Sequence, residues 1–235
     1  MTAINVIRQS KAVHILSDGV FCNAEGIICE VGPNAFALPH LPAALAVRGS
    51  PQFMPFLVHR LGRECRTFED LLKRVIPVAL EVHMSIPMTL GYGDVRPDFD
   101  LVIVGWSHLR SMPESYLVSN QASVGQFGFE AKSWQLLDLP DVTIAPPVGL
   151  TEINSLHWKV PDSAESFNPY TDGMKLLEAQ RQSGRLYRGR NRGTHSAVGG
   201  FAQLTTVSST RVDSVILYRW PDQAGQRIGS SDQAN

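Results

Sequence analysis

Residues 2–20 read TAINVIRQSKAVHILSDGV. Two short apolar runs, 3–7 and 13–16, flank a polar break containing Arg8, Gln9, Ser10 and Lys11. That pattern predicts two strands joined by a turn, closed by Asp18-Gly19. Thr2 directly follows Met1, and Asp18 lies sixteen residues further on. Threonine is a poor nucleophile unless a base removes its proton, and a free α-amine can be that base. Removal of Met1 would expose such an amine on Thr2, and an acid at the right distance could help organise the site.

The pattern continues outward from this hairpin. Ile27 and Ile28 follow the turn former Gly26, and runs 34–38 and 43–47 flank Pro39 and Pro42. All read as strands. Ser50 is placed to cap a helix with Pro51 at its first position. Phe53, Phe56, Leu57 and Leu61 share one face of that helix, and Gly62 can end it. A second helix is predicted from Thr67, with Asp70 three residues later in a variant of the capping box. Leu71, Leu72, Val75, Ile76, Ala79 and Leu80 form its stripe, and Pro77 should kink it. Residues 87–97 read as a Gly/Pro loop. Strands follow at 101–104, 115–118, 127–131 and 142–145. A helix is predicted over 169–183, capped by Asn168 and ended by Gly184. The last strands are 201–207 and 212–218. Blocks of strands separated by helices, without a repeat or linker, predict one domain over 1–221. Residues 222–235 read as a polar tail with little structure of its own.

Composition narrows the function classes. The chain has 235 residues, 43% of them hydrophobic, and a net charge of −1. This is the composition of an ordinary globular chain with no global attraction to nucleic acid or membrane. No apolar run approaches the ~20 residues that span a bilayer. The N-terminus lacks a signal-peptide pattern, so a cytoplasmic location is expected. Cys22, Cys29 and Cys65 form no CxxC pair, and the seven histidines show no zinc spacing. No metal or cofactor is expected. His14 reads as a structural histidine, Asp100 and Asp141 as strand-edge acids, and the four tryptophans as core or interface residues. Residues 91–94, GYGD, lack the Lys-Ser/Thr of a phosphate loop.

The strand order, with Thr2 at the front, resembles the proteasome-like branch of the N-terminal nucleophile hydrolases. Residues 2–20 look like the first hairpin of those subunits, including the spacing from nucleophile to aspartate. NAFALPHLPAALAVRGS, residues 34–50, is similar to their third and fourth strands. LVIVGW (101–106) resembles their central strand, and AVGGFAQLTTV (197–207) their penultimate one. The resemblance implies an α+β fold, a four-layer αββα sandwich. It implies a site with Thr2 as nucleophile, Asp18 orienting, and the Gly49 N–H in the oxyanion hole. The sequence also departs from the family. Asn34 stands where the family has a lysine, so the charge that activates the hydroxyl is missing. Counting back from Gly199-Gly200, His195 and Val198 stand where the family has aspartate and serine.

Arg185, Arg188, Arg190 and Arg192 cluster in RLYRGRNRG. They could hold phosphates or an acidic partner, or simply follow a helix C-terminus. With no basic excess elsewhere, a partner protein fits them better than nucleic acid. The functional expectation is therefore a catalytically degenerate proteasome-like subunit, a pseudoenzyme with a structural or assembly role. It would be a homo-oligomer or part of a larger particle, a virus or phage structural component being one version. The alternative is an active threonine amidohydrolase or peptidase that uses Thr2 after Met1 is removed.

Overall fold

A computed structural model describes residues 2–23, 25–49, 51–90, 98–121, 132–183 and 198–228. Strands β1 (Ile4–Gln9) and β2 (Ala12–Asp18) form the expected antiparallel hairpin, with Ile4 opposite Ser17 and Gln9 opposite Ala12. Successive strand residues point to opposite faces, and here both faces are covered. Ile4, Val6, Val13 and Ile15 pack with Ala44, Ala46, Val102 and Val104. Ile7 and Leu16 pack on the other side with Leu176, Leu177 and Ala202. Burial on both faces explains why these strands read as continuous apolar runs and not as alternating ones.

The hairpin lies inside a five-stranded antiparallel sheet. β10 (Val142–Ala145) pairs with β1, β11 (Phe201–Ser208) pairs with β2, and β12 (Val212–Arg219) forms the edge beyond β11. A second five-stranded sheet runs in the order β5 (Ala35–Leu38), β6 (Ala43–Gly49), β7 (Phe99–Ser107), β8 (Met112–Ser119), β9 (Leu137–Asp138). β3 (Val20–Cys22) and β4 (Ile28–Val31) form a separate two-stranded sheet.

Four helices accompany these strands among the described residues. After a short 3-10 turn over Pro51–Phe53, α1 spans Met54–Glu64, and α2 spans Phe68–Leu90. Both pack on the second sheet, where Leu57, Leu61, Leu71 and Val75 meet Leu45, Val47, Leu101 and Ile103. α3 (Leu150–Ser155) and α4 (Thr171–Ser183) pack on the first sheet beside Trp158, Phe167 and Leu204.

These pairings correct the expected four-layer αββα sandwich. The strands divide among three antiparallel sheets, and the molecule is a mixed α+β fold dominated by sheet. Apolar runs mark strands but do not choose their partners. After Asp18 the chain turns at Gly19, and β3 and β4 pair with each other instead of extending a larger sheet.

Local chemistry sets the helix starts. The Asp70 N–H donates to Thr67 Oγ1 at 3.0 Å, and the Thr67 N–H donates to Asp70 Oδ2 at 3.1 Å, so the reciprocal cap of α2 forms as expected. Asn168 Oδ1 accepts from the N–H groups of Tyr170 and Thr171 ahead of α4. Four expectations are corrected. α1 runs through Gly62 to Glu64, and Phe56 lies exposed. α2 continues through residues 87–90, taken as loop. Leu80 is exposed, and Val78 and Val82 are buried in the stripe. Ser50, Gly184, the loop residues 91–97 and the predicted strand 127–131 lie outside the described residues.

Two buried polar contacts join the sheet to the chain's later segments. Asn5 and Gln180 exchange side-chain hydrogen bonds, Asn5 Nδ2 to Gln180 Oε1 at 2.9 Å and Gln180 Nε2 to Asn5 Oδ1 at 2.8 Å. The remaining groups bond the carbonyls of Leu16 and Pro146 and the Ala145 N–H. Residues 222–228, read as unstructured tail, are also tied down. Asp222 ion-pairs with Arg181, Arg227 bridges to Ile27, and Ile228 packs with Val20 and Ile28.

Candidate functional site

β1, β2 and the approach to β11 bring their ends together at Asp18. Its side chain is fully buried. The Ala3 N–H donates to Asp18 Oδ1 at 2.9 Å, and the Gly199 N–H donates to Oδ2 at 3.1 Å. Asn34 Nδ2 donates to the Asp18 carbonyl at 2.7 Å and, at 3.3 Å, to Oδ1. Burial pushes the Asp18 carboxyl up to about 7, against the opposing pull of the two backbone N–H bonds. Near neutral pH the group is therefore divided between its acid and carboxylate forms.

Thr2 is almost completely buried and immediately precedes Ala3, whose amide holds Asp18. Thr2, Asp18 and Asn34 therefore occupy one neighbourhood. Gly49 is tied in at second hand. The Val47 N–H donates to the Asn34 carbonyl at 3.0 Å, and Gly49 follows two residues later at the end of β6. Its φ of 100° and a Cβ position 2.1 Å from the Asp98 carbonyl oxygen explain a glycine there. Arg185, Arg188, Arg190, Arg192 and His195 lie outside the described residues. Val198 is fully buried, and its carbonyl accepts from Arg181 Nη1 at 3.0 Å.

Sequence reasoning missed the second half of this neighbourhood. The Gly199 N–H goes to Asp18, and the next one, of Gly200, goes to Asp222 Oδ2 at 2.8 Å. Asp222 is held in turn by Arg181, with Nη1 at 2.7 Å and Nη2 at 2.9 Å on its two oxygens. The paired glycines thus run between two carboxylates. A Cβ on Gly200 would lie 2.4 Å from the Gly19 carbonyl oxygen, and one on Gly199 would lie 2.6 Å from Asp222 Oδ2. The signal was present in the sequence as Gly199-Gly200, but nothing in spacing links it to Asp222. Two buried oxygens nearby in the chain, Ser17 Oγ and Asn34 Oδ1, have no hydrogen-bond partner among the described residues.

Elsewhere, His14 is the structural residue expected. Its ring nitrogens bond Thr206 Oγ1 at 2.9 Å and Gln9 Oε1 at 3.0 Å, and burial lowers its pKa to about 4. Asp141 pairs with Arg8 at 2.8 Å. No group of His, Cys, Asp and Glu among the described residues is arranged to hold a metal. Among the described residues no helix is long and apolar enough to cross a membrane.

No protein-family model matches the chain, and no curated protein matches it significantly.

Proposed function

We propose that this protein is a subunit with a structural or assembly role in a larger particle, and that its Thr2–Asp18–Asn34 centre holds the fold together instead of performing chemistry. One observation carries the non-catalytic part of this reading: both oxygens of the buried Asp18 carboxyl accept backbone N–H groups, from Ala3 and Gly199. A carboxyl that holds Ala3 and also Gly199, 181 positions further along the chain, acts as a tie. Asn34 adds two more bonds to the same tie and supplies no positive charge to lower the pKa of a neighbouring amine. Homo-oligomeric assembly and a cytoplasmic location belong to the same proposal, with a virus or phage particle as one setting.

A second reading is favoured by one specific arrangement. Thr2, Asp18 and Asn34 do lie together, and the unpartnered Asn34 Oδ1 leaves an acceptor at the site. An N-terminal threonine hydrolase would use Thr2 Oγ as nucleophile and the Thr2 amine as base. It requires loss of Met1, because an amide nitrogen has essentially no basicity whereas a free α-amine titrates near pH ~8.

Intact mass followed by a covalent probe for N-terminal threonine separates the two. The structural reading expects no labelling of the folded chain, even when Met1 is absent. Labelling that Thr2→Ala abolishes would overturn it and establish the hydrolase.

A further inference from the structure

The surroundings of Asp18 are those of a carboxylate that lacks its counter-charge. The N–H groups of Ala3 and Gly199 and the amide Nδ2 of Asn34 donate to its two oxygens. A protonated carboxyl needs an acceptor for its own O–H, and among the described residues every contact of this one is with a donor. Donors favour the charged form. With the terminal charge on the preceding residue, Met1, burial still outweighs them and holds the group at about 7. A second buried group of the centre is also incomplete. Asn34 is fully buried, and its Oδ1 has no hydrogen-bond partner among the described residues. The centre thus has an anion without a cation and an acceptor without a donor.

One nitrogen beside both can supply what is missing. Ala3 N lies 2.9 Å from Asp18 Oδ1, and Asn34 Nδ2 lies 3.3 Å from the same oxygen. The nitrogen of Thr2 is the next one along the backbone. Bond lengths put consecutive backbone nitrogens no more than ~3.7 Å apart, so Thr2 N lies within ~6.6 Å of that oxygen. As an amide it carries one N–H and no charge. As a protonated α-amine it carries three N–H groups and a full positive charge.

We propose that the Met1–Thr2 bond is a processing site, and that its cleavage by an aminopeptidase completes the centre with a buried ion pair between the Thr2 ammonium and the Asp18 carboxylate. The step is a hydrolysis: the Met1 carbonyl carbon takes the hydroxyl of water, and the Thr2 nitrogen takes the proton. Thr2 is 6% exposed and Ala3 is fully buried, so the bond is cut before β1 closes against β2. The proposal rests on the non-catalytic reading and deepens it. An amine held as ammonium by a buried carboxylate has no lone pair with which to take the Thr2 Oγ proton. The pH-dependent stability of a half-protonated Asp18 belongs to the chain that keeps Met1.

The other charged or titratable groups on this side are the same before and after cleavage. Burial pushes the Cys22 thiol of β3 up to about 11, so it stays neutral. Asp222 is paired with Arg181 beyond Gly200. Arg48 shares the face of β6 on which Ala44 and Ala46 meet the first sheet.

The two forms of the full chain are made by expression with and without active methionine aminopeptidase and identified by intact mass. The Asp18 carboxyl is then titrated by carbon-13 NMR, with Asp18→Asn marking its signal. An opposite charge at this range lowers a carboxyl, so the midpoint should be at least ~1 pH unit lower in the chain without Met1. Thr2→Val keeps the amine and loses the hydroxyl, and its Met1-free form should show the same shift. Equal midpoints in the two forms overturn the proposal, as does a shift that Thr2→Val abolishes. So does a chain that keeps Met1 quantitatively in the presence of the active aminopeptidase. Equal midpoints without labelling by the N-terminal threonine probe remove the ion pair and leave the structural reading in place. Labelling with a shifted midpoint overturns that reading and leaves the ion pair.

Discussion

Asp18 makes a prediction that can be worked through in numbers. Its folded pKa is about 7 against an ordinary 3.8. The gap corresponds to ~4 kcal/mol at 1.36 kcal/mol per pH unit. The sign follows from linkage. Between pH ~4 and ~7 the folded protein holds a proton on Asp18 that the unfolded chain has lost, so stability falls as pH rises through this window. The contribution is fully present below ~4 and gone above ~7. From pH 5 to pH 8 it amounts to about 2–3 kcal/mol. Asp18→Asn removes the titration while keeping the shape. It also turns one amide donor toward the N–H of Ala3 or Gly199, at a cost of ~1–3 kcal/mol that does not depend on pH. Urea unfolding of both proteins at pH 5, 6, 7 and 8 is the assay. The stability difference between wild type and Asp18→Asn should shift by about 2–3 kcal/mol in favour of wild type as pH falls from 8 to 5. For a chain of this size that equals ~5–10 °C in melting temperature. A difference that stays constant across the series would refute the dominance of burial. A constant difference is what the two N–H bonds would give if they outweighed burial and held the carboxylate ionised, because both states would then be deprotonated already at pH 5.

The remaining predictions concern other buried groups. His14, lowered from 6.5 to about 4, has the opposite sign: the unfolded chain binds its proton first, so stability is lost as pH falls from ~6.5 to ~4. His14→Gln should remove up to ~3 kcal/mol of that acid loss, read from melting temperatures at pH 4.5 and 7. Breaking the Arg181–Asp222 pair with Asp222→Asn should cost about 3–5 kcal/mol, because the guanidinium stays buried without its charge partner. Replacing both, as Arg181→Met/Asp222→Leu, should cost less than the single change in the same urea titration. Gly49→Ala should destabilise by at least ~2 kcal/mol, since alanine meets both a left-handed φ and the Asp98 carbonyl.

The sequence made some of this legible for definite reasons. The β1–β2 hairpin, the reciprocal cap between Thr67 and Asp70, and the Asn168 cap all depend on residues within a few positions of one another. Local chemistry is enough to find them. The partnership of Asp18 with Asn34 came only through the resemblance to a family, and the structure joins those two residues directly. The commitments of Gly199 and Gly200 to Asp18 and Asp222 were not legible, because no periodicity connects positions so far apart. The layer arrangement failed for the same reason: nothing local in the short segments 20–22 and 28–31 says that they pair with each other, and only tertiary pairing makes them a separate sheet. Residues 222–228 were misjudged by their polarity, although Asp222 is buried by a partner, Arg181, that lies 41 positions earlier.

The position of β2 has a consequence for the order in which the molecule can form. β2 is central in its sheet, with β1 on one side and β11 on the other. Its second neighbour begins only at Phe201, more than 180 positions beyond the end of β2 at Asp18. While a ribosome is still making the intervening residues, β2 has one hydrogen-bonding edge with nothing to pair with, and Asp18 lacks Gly199. β2 must therefore wait for a strand that begins only at Phe201. Such long-range closure slows folding and leaves an early strand exposed to misassociation. Truncations ending before Phe201 should leave β2 without its inner neighbour and require a chaperone to stay dispersed, whereas the full chain completes its own sheet.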